Sequence, residues 1–365
     1  MKKLYSILAL FSVVVTLAQA PANYYNSATG TGYTLKTQLY NIIKDHDEQT
    51  YAGLYITYQT SDKKANGKVW DMYSNCDFTF GTVANGGNQD NGTDPGGNEC
   101  VYFNREHTVP QSYFGSATPM YSDAHFVIPS DKVVNGKRDN YPFGRVNNAT
   151  WTSDNGSKLG PNLNSGYSAG YTGVVFEPID EYKGDIARVL LYFVTRYENQ
   201  IAGFYTSTNA GSVASKNMFD GTSNRSFSPT FLNILLEWNQ QDPVSAKEIT
   251  RNNAIYARQG NRNPYIDNNN YVTLIWGSPL STSVFDIANA ISVYPNPTYD
   301  NKINIDSEVA LDEIELITIN GQLMQQVKNP AIQNSTYTIE NLPSGFYFLK
   351  LTSNSQSTVK KVIVN

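Results

Sequence analysis

Histidine is scarce in this chain: three in 365 residues. Cysteine is scarcer still, with two. Beyond the first twenty residues, no stretch approaches the ~18 uninterrupted apolar residues that a membrane-spanning helix needs. Positive charge is not in surplus either, because the formal net charge is −5. Each shortage excludes something. A zinc-protease helix needs H-E-x-x-H, and no histidine here has that spacing. Two cysteines are too few to close a structural zinc site. An acidic total means that any polyanion must be held by a local patch and not by bulk charge.

The one long apolar run is at the start. Lys2 and Lys3 precede "LYSILALFSVVVTL", and small residues follow at 18–20. This pattern predicts a secretory signal peptide over residues 1–20, with cleavage near Ala20. Export places Cys76 and Cys100 in an oxidising compartment, on either side of a Gly/Asn-rich loop, so a disulfide is expected between them. In the chain-entropy picture it contributes roughly 3 kcal/mol.

Two domains are predicted: residues 21–284, an α+β unit, and residues 285–365, a small all-β sandwich. Neither is basic: the first holds 20 Lys+Arg against 24 Asp+Glu, the second 5 against 8. In the first, Thr34 is expected to cap a helix whose apolar face carries Leu35, Leu39, Ile42, Ile43 and His46. "TYAGLYITYQT" (50–60) reads as a strand. A helix is expected through Ile186, Val189, Leu190, Phe193, Val194 and Tyr197. Another should start at the capping box Ser245/Glu248 and run to Gln259, with Gly260 as its stop. From Ile291 onward the chain is short alternating runs, with Asn320-Gly321 as a hairpin turn.

The chemistry concentrates in "NREHTVP" and "SDAHFVIPSDKVVNGKRDN". Glu106 and His107 are adjacent, so on a flat strand they would face opposite sides. They converge only where a strand ends and twists, which favours divided labour: a carboxylate on a hard cation, an imidazole moving a proton. A carboxylate with amide and water ligands suits Mg²⁺. Asn135 could supply the amide, from a short helix with Pro129 near its start. Read from spacing alone, a chance juxtaposition is the stronger reading of the pair. His125 and His46 have apolar neighbours and read as buried structural residues. The loop at 84–98 lacks EF-hand spacing and reads as a surface loop, not a Ca²⁺ site.

Longer motifs add to this. "CVYFNREHTVPQSYFG", "SDAHFVIPSDKVVNGKRDNYPFG", "VWDMYS", "FEPIDEYKGDIARVLLYFVTRY" and "WNQQDPVSAKEITRNNAIYARQGNRNPYID" resemble, in order, the endonuclease I family of secreted His-Me finger nucleases. That resemblance implies a ββα-metal core, with Glu106 and Asn135 on one divalent ion (Mg²⁺, or Mn²⁺/Ca²⁺) and His107 as general base. It implies cleavage of DNA, with RNA a second candidate substrate, to 5′-phosphate products. Some relatives carry a transition-state arginine between the two motifs. This chain has none between His107 and Arg138, which leaves Arg138 or a basic residue of the later helix as the candidate for that role. "VYPNP", "INGQ", "LPSGFYFLKL" and "KKVIVN" resemble the C-terminal sorting domain of the type IX secretion system, which implies export across the outer membrane and then surface attachment or release; separately, a monomer is expected.

Lys247, Arg251 and Arg258 share a face of the capping-box helix, and Arg262 follows it. They are the candidate nucleic-acid stripe, with a structural arginine network as the competing reading. The rival function is a non-catalytic surface adhesin on the same fold.

Overall fold

The computed structural model describes residues 20–206, 218–277, 291–307, 310–330, 336–353 and 356–365. The expected signal peptide and the expected boundary at 284/285 lie outside these residues. By contacts the chain divides into two compact units, Met1–Leu280 and Ser281–Asn365.

In the first unit, helix α1 spans Gly32–Ile43 and buries Leu35, Leu39 and Ile43 on one face. It starts two residues before Thr34, with Thr31 as its cap residue, and ends before His46. The segment expected as a strand is instead helix α2, Leu54–Ser61. Its Tyr, Ile and Thr residues favour strands by composition. However, Leu54, Thr57, Tyr58 and Ser61 recur at helical spacing and are its buried positions. Tertiary packing decides, and the Tyr58 hydroxyl donates to the Val127 carbonyl at 3.0 Å.

Strand β1 (Phe103–His107) pairs antiparallel with β2 (Val127–Asp131), placing Glu106 opposite Ile128 and His107 opposite Val127. Helix α3 (Lys132–Arg138) follows directly. Its cap is the Asp131 carboxylate, which accepts from the Val133 and Val134 amides at 2.7 and 3.1 Å. Pro129 therefore lies inside β2 and not at the helix start, and Pro cannot donate to a ladder at that position. A small sheet of β3 (Trp151–Thr152), β4 (Lys158–Pro161) and β5 (Val174–Glu177) precedes the central helix α4, Lys183–Arg196.

All fourteen residues of α4 are buried. A helix enclosed on every side must pair its charges inside, and Arg188 does so with Glu248 at 2.5 and 2.8 Å. Helices α5 (Glu198–Thr206), α6 (Pro229–Gln241) and α7 (Ala246–Gln259) follow, then α8 (Pro264–Asp267) and α9 (Asn270–Trp276). The predicted capping box of α7 is formed on both sides, and Gly260 ends the helix with φ +76°. Glu248 thus both caps α7 and neutralises Arg188.

Cys76 and Cys100 are disulfide-bonded with Cα atoms 5.1 Å apart. Sequence separation of 24 residues closes the Gly/Asn-rich loop, which Lys132 also holds through Asp90 Oδ1 at 2.8 Å. The Cys100 amide donates to Asp131 Oδ2 at 2.7 Å, so the disulfide adjoins the cap of α3. Changing both cysteines to serine is expected to lower unfolding free energy by about 2–4 kcal/mol in denaturant titration. A change under about 0.5 kcal/mol would show that the loop constrains neither state.

The second unit is all β, as expected. One antiparallel sheet is β10–β7–β6, the other β12–β11–β8–β9. Their ranges are β6 Ile291–Tyr294, β7 Ile303–Ser307, β8 Glu313–Thr318, β9 Leu323–Lys328, β10 Thr336–Ile339, β11 Gly345–Ser353 and β12 Gln356–Val364. Ile303, Ile305, Ile314, Leu316, Leu349, Leu351 and Val362 alternate inward to one shared core. The β8–β9 hairpin turns at Asn320-Gly321, where Gly321 has φ +82°, as an Asn-Gly turn requires.

Candidate active site

Strand β1 ends at His107, and where it ends its side chains converge. Asn104, Arg105, Glu106 and His107 all line one cavity of about 440 Å³, with Asn135, Gly136 and Arg138 of α3 across from them. A flat strand would separate these residues onto two faces.

Glu106 is 3% exposed. Tyr73 donates to its Oε1 at 3.1 Å, and Arg138 Nη1 lies 3.0 Å from the same oxygen. Oε2 accepts from no side chain among the described residues, and the His107 backbone amide also favours the charged carboxylate. Burial pushes the Glu106 carboxyl up to about 7, while Arg138 and Tyr73 pull it back down. A desolvated carboxylate with one open oxygen is a strong attractor for a cation.

Asn135 presents the second oxygen. Its Nδ2 donates to Asn104 Oδ1 at 2.8 Å, which fixes the amide orientation and leaves its own Oδ1 uncommitted. Among the described residues no cluster of three or more His, Cys, Asp or Glu could hold a metal. The candidate donors are therefore hard oxygens of mixed type, one carboxylate and one amide. This set fits a small hard cation that keeps several waters, and does not fit zinc.

His107 stands beside them, stacked on Tyr121 at 5.4 Å and 13°. Its Nε2 is 3.2 Å from the Tyr121 carbonyl. A carbonyl only accepts, so Nε2 carries the proton and Nδ1 carries the lone pair. Burial holds the imidazole down to about 4, against the Tyr121 carbonyl, which raises it. The ring is neutral and can take a proton.

Arg138, the candidate cation, is 1% exposed. Nη1 donates to the His107 carbonyl at 3.0 Å and Nη2 to the Thr108 carbonyl at 2.5 Å. Both terminal nitrogens are thus engaged with β1 and Glu106. These contacts brace Glu106 and the end of β1, and Arg138 also lines the cavity.

The predicted stripe is not a solvent face. Arg251 is buried and pairs with Asp62 at 2.7 Å, and Arg262 is buried and pairs with Asp267 at 2.7 Å. Arg258 donates to Thr57 and Gln49, and Lys247 lies 3.9 Å over the Trp70 ring. The correction is to the competing reading, a structural arginine network, because α7 packs this face against α2. The two other histidines are structural, as expected. His125 meets the Asn261 carbonyl at 3.1 Å, and His46 Nδ1 accepts from Arg196 at 3.0 Å.

A larger cavity, about 610 Å³, lies by Tyr24, Tyr25 and Ile266. Its one carboxylate, Asp267, is already bound to Arg262, and it has no histidine. The smaller cavity is the one that gathers a buried carboxylate, an amide and a histidine. Sequence reasoning missed Tyr73, Asn104, Arg105 and the Tyr121 carbonyl. Asn104 and Arg105 carried a signal in their adjacency to the Glu-His pair, and Tyr73 in its place within "VWDMYS"; the Tyr121 carbonyl carried none.

Residues 31–270 match Endonuclease I, and residues 292–365 match the secretion system C-terminal sorting domain. The chain belongs to the endonuclease I family.

Two relatives are each described as an extracellular ribonuclease. That of Bacillus amyloliquefaciens is 32% identical over 273 residues, covering 73% of this chain and 82% of its own length. That of Bacillus subtilis (strain 168) is 32% identical over 259 residues, covering 69% and 78%. A solved structure of PorZ, a surface component of the type IX secretion system of Porphyromonas gingivalis, covers 23% of this chain and 13% of its own. It is 15% identical with a TM-score of 0.19, too low to support any statement. This endonuclease I family member is therefore a secreted or cell-surface nuclease, a phosphodiester-hydrolysing enzyme that carries a type IX sorting domain. Among the described residues no helix is long and apolar enough to cross a membrane.

Proposed function

We propose a sequence-nonspecific, divalent-metal-dependent endonuclease, acting as a monomer, that hydrolyses RNA and DNA to 5′-phosphate products. The observation that carries it is the shared cavity: a buried carboxylate with an open oxygen, an oriented amide, and a neutral imidazole whose proton is fixed on the far nitrogen. RNA enters because both extracellular relatives are described as ribonucleases.

His107 Nδ1 takes the proton of a water that attacks the phosphorus. The Tyr121 carbonyl holds the ring in the tautomer this requires and stabilises the imidazolium that forms. Arg138 and Tyr73 orient the Glu106 carboxylate, and Asn104 orients the Asn135 amide. Mg²⁺ held by Glu106 and Asn135, with Mn²⁺ or Ca²⁺ as substitutes, would neutralise charge on the phosphate and the leaving 3′-oxygen.

The test is hydrolysis of a uniform RNA and nicking of a plasmid by the purified mature chain, with Mg²⁺ and with EDTA, beside Glu106→Gln. Both substrates should be cut only with metal. Glu106→Gln should raise the Mg²⁺ concentration for half-activity by about tenfold or more. Undiminished cleavage in EDTA would overturn the metal assignment, and cleavage of RNA alone would remove DNA.

A further inference from the structure

A site that binds a polyanion needs a cation whose donors are not already used. Around this cavity most are used. Arg138 is bound to Glu106 and two carbonyls, and Lys132 to Asp90 and the Thr93 carbonyl. Arg188, Arg251 and Arg262 are committed to buried carboxylates elsewhere.

Arg105 differs. It lines the cavity between Asn104 and Glu106. Its guanidinium lies 3.5 Å from the Tyr51 ring centre and 4.4 Å from that of Tyr55. Nη1 donates to the Tyr51 carbonyl at 2.9 Å, and Nε is buried without a partner. Nη2 makes no hydrogen bond and no carboxylate pairs with the group, among the described residues. Of the two other carboxylates lining the cavity, Asp90 is taken by Lys132, and Asp139 makes no ion pair with Arg105 among the described residues.

Two aromatic faces do the work of a rack. They hold a weakly hydrated cation in place without neutralising it, as a carboxylate would. Of its terminal nitrogens only Nη1 is engaged, and a free guanidinium N–H of a cavity-lining arginine suits a phosphate oxygen.

We propose that Arg105 is the substrate-positioning residue that binds a phosphate of the nucleic acid at the scissile linkage or its neighbour. This rests on the function proposed above. No bond is made or broken by Arg105.

The test is steady-state cleavage of a short RNA by the mature chain across a salt series, for wild type, Arg105→Gln and Arg105→Lys. Loss of one charge-assisted contact should lower kcat/KM about 10- to 100-fold in Arg105→Gln. The slope of log kcat/KM against log salt should become shallower by about 0.7, one phosphate contact on a single strand. Arg105→Lys should recover the slope and part of the rate. Arg105→Met, which keeps the stem between the rings, replaces Gln if that variant does not fold. A kcat/KM within twofold of wild type overturns the proposal. So does an equal loss in the Lys and neutral variants with the slope unchanged, which would make Arg105 a structural brace for Tyr51. Absence of cleavage by wild type would instead overturn the nuclease mechanism itself, so the two failures are distinct.

Discussion

Replacing His107 with alanine is expected to lower kcat by about 10²- to 10⁴-fold, the worth of a positioned general base. The protein should remain folded, because the imidazole makes one hydrogen bond and its neighbours Tyr121, Phe114 and Phe126 pack against other residues too. The same assignment fixes the pH profile. An unperturbed histidine would put the acid limb at ~6.5. Burial holds His107 down to about 4, so its lone pair is available throughout the neutral range. Glu106 then sets the limb, since burial pushes its carboxyl up to about 7. Below that value the metal-free site is protonated, and above it the site is ionised. A proton and a divalent cation compete for the same oxygen, so the acid limb of kcat/KM should move to lower pH as Mg²⁺ is raised. A limb that stays at ~6.5 at every Mg²⁺ concentration would return it to His107. Full activity in His107→Ala would remove the residue from the mechanism altogether.

What the sequence shows of this site is its pair of chemical residues and their separation from Asn135. Glu106, His107 and Asn135 are close to a strand end and a short helix, and local pattern is enough to place such elements. The capping box of α7 and the Asn320-Gly321 hairpin were legible for the same reason: each is a local hydrogen-bonding unit written in consecutive residues. The segment 54–61 was not. Its β-branched and aromatic content is strand-like, and only its packing under β2 shows that the period is helical. Partner choice was the least legible of all. Tyr73 reaches Glu106 across 33 residues, and Glu248 reaches Arg188 across 60. In Arg251 a cation reads the same whether it faces water or a buried carboxylate 189 residues away.

That last residue carries the other large effect. Asp62 is fully buried, and Arg251 Nε lies 2.7 Å from it, while Nη1 donates to the His125 carbonyl at 3.2 Å. Removing one partner of such a pair leaves an uncompensated charge, which costs about 3–5 kcal/mol. Against a typical domain stability of ~5–15 kcal/mol, that is enough to lower the melting temperature severely. Arg251→Met is therefore expected to unfold well below wild type. Adding Asp62→Asn should restore part of the loss, because the buried charge is then gone. Lys247→Gln, on the same helix but partly exposed, should change stability by no more than about 0.5 kcal/mol. A phosphate-tracking stripe predicts the reverse: Arg251→Met would melt like wild type and bind RNA more weakly, with a shallower salt slope. Thermal melts of the three variants beside their RNA affinities decide between them. The burial of Asp62 under α7 favours the first outcome, since an arginine that leaves a buried carboxylate for a substrate would forfeit more than one phosphate contact returns.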